Sequence, residues 1–357
     1  MKSFFISVFF LLLALQAFGQ TTNAEQAFRN VNYSIEIPEV QELIFVIFSI
    51  TDVGLNDLLM INHNSDYYKN VISYFGGFKK EKIVRRIGKK ISVNYNELRM
   101  DTSNYKFDSS DNLVKNIEFH NLSWGRRDYL QKYLPDLEVF CKKTQFRKFY
   151  ATNKDYYDTL INKLKLQAPI VKQHRWLENN FTKKYSNFRI VFSSLSYGKH
   201  ATNSALKDVV IFVSSPTENS KLSKTLLEAR DTRMLFTEID HNYVNPISDL
   251  YLTLINKAFK ERKKWTNGKY SSSYKDEYAV FNEYMTWSVF ILYALDTYNV
   301  QDYNIVRNQI ETMMTEYRGF RNFKAFNEKM IVLYRDKEAN LLISDLFLEI
   351  LNWCEKQ

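Results

Sequence analysis

The first apolar run of the chain, Phe4 to Leu15 with Ser7 as its one interruption, follows Lys2 and closes on Ala17-Phe18-Gly19. A basic start, a short apolar core and a small residue before a cleavage point make the pattern of an export signal, and the run is short for a membrane span. Residues 1–19 are therefore read as a signal peptide and the mature chain as exported, periplasmic or extracellular. No later stretch is apolar enough to cross a bilayer. Beyond an extended stretch over 33–37, Val40, Leu43, Ile44, Ile47 and Ile50 recur at helical spacing behind Pro38. Ser65 and Asp66 are N-cap candidates for a helix over 67–75 that Gly76-Gly77 stops. From 113 to about 181 the period is helical again, through Tyr133, Leu137, Phe140, Phe149, Leu160 and Leu164, with Pro135 and Pro169 as breaks or starts.

The period then changes. Residues 187–193 and 208–213 are rich in β-branched and aromatic side chains and read as strands, with Gly198 and a polar loop between them. A helix over 233–244 follows, ended by Asn245-Pro246 because the residue before proline disfavours the α region. An amphipathic helix over 247–264, a loop at 266–273 and a strongly apolar helix over 276–296 come next, then helices near 305–317 and 341–353. The pattern predicts an α+β, predominantly helical protein: 20–185 a mostly helical N-terminal region, 186–357 a region with a small β-sheet.

Composition refines this only in places. A hydrophobic content of 45% suffices for one large or two modest domains, and nine Gly with five Pro argue against linkers and low-complexity tracts. Basic residues number 49, Lys2 among them, against 40 acidic ones. Lys, Asn, Tyr, Phe and Ile are abundant together, a bias that AT-rich codons produce without selection for binding. Seven of the cations crowd residues 79–90, interrupted by Ile83, Val84 and Ile87. Without interleaved aromatics to stack bases, the run reads as the solvated face of a short helix, and no nucleic-acid partner is expected. Cys141 and Cys354 either pair across a long loop or stay as two buried thiols. His63, His120 and His174 have no second ligand-type residue at a metal spacing and read as loop, surface or hydrogen-bonded core residues.

Candidate chemistry is confined to residues 235–246, where Thr237-Glu238-Ile239-Asp240-His241 falls on a helix. In the zinc pattern H-E-x-x-H, two histidines one turn apart hold a metal and the Glu activates its water. Glu238 and His241 hold the second and last positions, Thr237 the first. Glu283, on the later apolar helix, matches a third ligand supplied from a separate element. Asp240 points about 100° away from His241 on an ideal helix; His200, between the strands, is the other candidate to complete the shell. Strand 187–193 or 208–213 is expected to border the cleft and pair with an extended peptide.

The order of parts runs from Ile37-Pro38-Glu39-Val40-Gln41-Glu42-Leu43, through the Tyr67-Tyr68 helix and the paired strands, to Glu238-x-x-His241-x-x-Val244-Asn245-Pro246 and Asn282-Glu283-Tyr284. It resembles an uncharacterised family of exported bacterial proteins with a gluzincin-like zinc metallopeptidase core, over most of the mature chain. The resemblance implies a zincin fold for 186–357, a peptide or protein substrate, zinc as cofactor, Glu238 as general base, and His241 and Glu283 as ligands. The function expected is that of a zinc-dependent peptidase hydrolysing peptide bonds with a metal-activated water; Thr237 stands where the family has its first histidine, so the site is either completed by another side chain or catalytically degenerate. Tyr317 and Tyr334 are candidate transition-state donors only because tyrosine serves that role in such enzymes. The alternative function is a non-catalytic binding protein that holds a peptide or an anionic glycan in the inherited cleft or on its basic surface.

Overall fold

A computed structural model describes residues 32–116, 128–205, 208–216, 222–268, 271 and 274–357. The signal peptide expected over 1–19, and His120, lie outside the described residues. β1 (Asn32–Glu36) leads into α1 (Glu39–Ser49), α2 (Asp66–Phe75), α3 (Lys82–Gly88) and α4 (Ile91–Met100). A hairpin of β2 (Tyr105–Phe107) and β3 (Leu113–Lys115) precedes α5 (Leu134–Thr144), α6 (Phe146–Thr152), α7 (Lys154–Gln167) and α8 (Ile170–Asn180). After β4 (Asn187–Val191), β5 (Ala201–Ala205) and β6 (Asp208–Phe212) come α9 (Lys224–Leu250), α10 (Leu252–Ala258), α11 (Arg262–Trp265) and α12 (Glu277–Thr297). α13 (Val300–Thr312), a π-helical turn (Met313–Tyr317), α14 (Phe323–Asp336) and α15 (Phe347–Cys354) complete the chain. The protein is predominantly helical with a small sheet, and no helix among the described residues is long and apolar enough to cross a membrane.

The sheet has the order β1-β4-β6-β5, with β1, β4 and β6 parallel and β5 antiparallel at one edge. Both central strands are nearly continuous apolar runs because both of their faces are covered. Phe188, Ile190, Val209 and Ile211 join the main core, where the His174 ring of α8 lies 4.5 Å from that of Phe188. Val191, Val210 and Phe212 meet Ala201 and Met100 in a second, smaller cluster. The two cysteines are free, buried thiols.

Three expectations need correcting. Leu113 opens β3 instead of a helix, since Asp108 accepts hydrogen bonds from the backbone of Ser110 (2.8 Å) and Asn112 (2.9 Å) and closes a turn in which Asp111 has φ 62°. The stretch read as a polar loop between the strands contains β5, whose Ala-Thr-Asn-Ser-Ala carries no apolar alternation. The motif helix does not stop at Asn245-Pro246 but runs unbroken from Lys224 to Leu250. Proline has no N–H for the carbonyl four residues back, that of Asn242. The Tyr185 hydroxyl donates to that carbonyl at 2.7 Å and takes the place of the missing helical bond.

Tyr185→Phe should therefore cost about 1–3 kcal/mol in urea denaturation, the penalty of a buried carbonyl left without a donor. In a Pro246→Ala background, where the backbone N–H returns, the same change should cost clearly less. Equal costs in the two backgrounds would refute the substitution of one bond by the other.

Candidate functional site

α9 carries Thr237, Glu238 and His241 on one face because residues three and four apart share a helical side. α12 is buried along its length from Val280 to Ala294, and Glu283 with Trp287, one turn on, projects from it toward α9. Gly198 and His200 come from the segment just before β5. The π-helical turn ends at Arg318, with Gly319 at φ 82°, a left-handed conformation that favours glycine; a Cβ there would come within 2.0 Å of Asn267 Oδ1 and force that side chain to move. These side chains, with Met234, Met313 and Tyr274, line one cavity of about 310 Å³.

Glu283 is the centre of the cavity's electrostatics. Burial alone would raise its pKa, but Arg318 Nη2, 2.8 Å from Oε2, and His241 Nε2, 3.6 Å from Oε1, outweigh it and hold the carboxyl down to about 2. Trp287 Nε1 donates to Oε2 at 3.2 Å, and the Arg318 guanidinium lies 5.3 Å from the Trp287 ring centre while donating to the Tyr274 hydroxyl. Against the lowering effect of burial, Glu283 raises His241, whose Nδ1 lies 3.3 Å from Asn245 Oδ1. Burial pushes Glu238 up to about 7, with His241 pulling it down and Glu283 pushing it up. Arg99, buried on α4 and donating to the Lys199 carbonyl at 2.7 Å, adds a further cationic field on Glu238 and His200.

The sequence-chosen residues thus meet unequally. Glu238, His241, Glu283, Thr237 and His200 share the cavity. Thr237 Oγ1 donates back to the Met234 carbonyl at 3.0 Å. Burial, with Arg99 adding to it, pushes His200 down to about 3; its Nε2 sits 3.3 Å from Ser214 Oγ and its Nδ1 has no partner among the described residues. Asp240 is turned into the core, its pKa raised well above the usual range by burial and then by the charges of Glu238 and Glu283. Neither proposed tyrosine lines the cavity: Tyr317 is exposed and Tyr334 bonds Asp296 at 2.5 Å. Arg318, Trp287 and Tyr274 are the residues that sequence reasoning missed. Only Trp287 left a signal, one turn after Glu283.

A catalytic zinc takes three protein donors and leaves a fourth position for water. Among the described residues no three His, Cys, Asp or Glu side chains are grouped to hold a metal ion. His241 and Glu283 are two, Glu283 is already engaged by a permanent cation, and the Thr237 hydroxyl is a weak donor beside imidazole. The donor set as it stands does not fit the ion.

The paired groups set a pH profile. His241, raised above its ordinary 6.5, contributes stability that is full below that value and is lost as pH climbs through the folded one. Glu283, lowered to about 2, contributes above its ordinary 4.5 and loses that as pH falls toward 2. The network should stabilise the fold most between pH 4.5 and 6.5. Urea midpoints of Glu283→Gln should vary less with pH on both sides of that window, and Arg318→Met, which strands the carboxylate, should cost about 3–5 kcal/mol at neutral pH. Parallel profiles for wild type and Glu283→Gln would contradict the assignment.

No protein-family model, curated protein or solved structure matches this chain, so the cavity has to be interpreted from its own side chains.

Proposed function

We propose that the cavity is the ligand cleft of an exported binding protein, descended from a gluzincin-like peptidase site and no longer dependent on its metal. The observation that carries this reading is the Arg318–Glu283–His241 network: the carboxylate that a zinc site needs is neutralised by a guanidinium 2.8 Å away. Two cationic groups, His241 and Arg318, flank one ionised carboxylate, with Arg99 behind Glu238. That balance suits a ligand carboxylate, to which Glu238 can also donate while protonated, since its pKa is about 7. A peptide is the ligand class that fits best. β5 starts immediately after His200, Asn242 Nδ2 of α9 donates to Thr202 Oγ1 at 2.9 Å, and the outer side of β5 carries no strand among the described residues. An extended backbone can add there while its side chain or terminus enters the cavity. It is β5, and neither 187–193 nor 208–213, that offers this edge.

A second reading, a zinc-dependent peptidase, is favoured by the convergence of Glu238, His241 and Glu283 on one cavity. Metal content separates the two. On the binding reading, purified chain carries substoichiometric zinc, a peptide library is bound but left uncut, and chelator changes neither; Arg318→Gln weakens peptide binding by about tenfold or more, the loss of a charge-assisted bond. Stoichiometric zinc that disappears in Glu283→Ala, with cleavage abolished by Glu238→Gln, would replace that reading with the peptidase. Thr237→His should raise zinc affinity on either reading, because both derive α9 from a metal-binding helix; no gain would sink the common ancestry.

A further inference from the structure

The basic run over 79–90 is divided by the fold into two faces. Lys82 and Arg86, one turn apart on α3, both pair with Asp136 of α5, the lysine at 2.9 Å, and Glu81 pairs with Lys143 at 2.8 Å. Arg85 on α3 and Lys89, just past its end and four residues on, face elsewhere. With Lys79 and Lys80 they line a pocket of about 480 Å³ where the end of α1 meets α3. Asp52 is the one acid lining it. None of these four cations has an ion pair or hydrogen bond through its side chain among the described residues. Like charges at i, i+4 destabilise a helix, and the protein relieves such crowding with acids on one face of α3 while withholding them on the other. The floor is apolar, formed by Ile50, Val53 and Val84.

From this we infer that the pocket is a binding site for a phosphorylated ligand, whose phosphoryl oxygens accept from the lysines and Arg85 and whose carrier group rests on the apolar floor. A phosphoryl group suits it because it brings more than one negative charge in a compact shape with several acceptors, for which the four cations lining the pocket supply donors. The volume lies in the range of small-molecule sites. The site is separate from the cleft around Glu283 and shares no lining residue with it. A soluble phosphate ester and a phospholipid headgroup supply the same chemistry.

The test is calorimetric titration of the full chain with inorganic pyrophosphate, alongside sedimentation with phosphatidylcholine vesicles with and without phosphatidic acid. Saturable one-site binding of pyrophosphate is expected, weakened by salt through screening. Lys79→Gln/Lys80→Gln/Arg85→Gln should lose about tenfold or more in affinity. A control with the same loss of charge at exposed positions elsewhere, Lys165→Gln/Lys263→Gln/Lys324→Gln, should bind as wild type. Asp52→Asn should tighten binding, since it removes the opposing charge. Vesicle binding that requires phosphatidic acid and is displaced by pyrophosphate identifies the headgroup as source; pyrophosphate binding without vesicle binding identifies a soluble ester. Absence of saturable pyrophosphate binding, or an equal loss in the control variant, overturns the proposal. All substituted side chains are exposed, and thermal melts confirm that the variants fold.

Discussion

An ionised carboxylate on a helix buried from Val280 to Ala294 must be neutralised, and most of the cavity's properties follow from how Glu283 is. Arg318 supplies the charge, and a guanidinium does not give up its proton in any ordinary pH range. To deliver it, the chain leaves α13 through a π-helical turn and reverses at Gly319, whose φ of 82° favours glycine. The remaining valence of Glu283 falls on His241, which is why an imidazole buried on α9 is raised and not lowered. Glu238, whose carboxylate has no hydrogen-bond partner among the described residues, moves the other way from Glu283, up to about 7, chiefly through its own burial and then through the charge of Glu283. One buried charge thus sets the protonation of His241 and adds to the shift of Glu238.

Much of the helical framework is legible in the sequence. α1 and α12 repeat apolar residues over several turns, and α2 carries its Ser65 cap, whose Oγ accepts from Tyr68 at 3.0 Å. Glu238, His241 and Glu283 line one cavity, and the sequence hints at their meeting because two of them are one turn apart on a helix and the third sits on a strongly apolar one. What stayed hidden depends on contacts that no local window contains. β5 has neither β-branched density nor alternation, and exists because β6 offers it a partner. α9 passes Pro246 because a tyrosine 57 positions upstream in sequence order satisfies the orphaned carbonyl. Arg318 lies 35 residues beyond Glu283, and no periodicity joins them.

The same arithmetic of charge separates the two pockets. In the cleft, the cations meet acids supplied by the fold, and what remains adjustable is the proton on Glu238 and that on His241. As pH rises through 7 that proton leaves while Arg318 stays charged, so the cavity becomes less positive and loses a hydrogen-bond donor in the same step. A ligand carboxylate is then held less well from both causes at once, and on the binding reading the cleft favours mildly acidic surroundings. At the α1–α3 pocket four cations face one acid, Asp52. Salt weakens the proposed site by screening, and a competing anion by displacement. Two basic pockets on one chain therefore differ in where their balancing charge comes from, because in one the fold supplies it and in the other a single acid, Asp52, faces four cations and the rest has to arrive with the ligand.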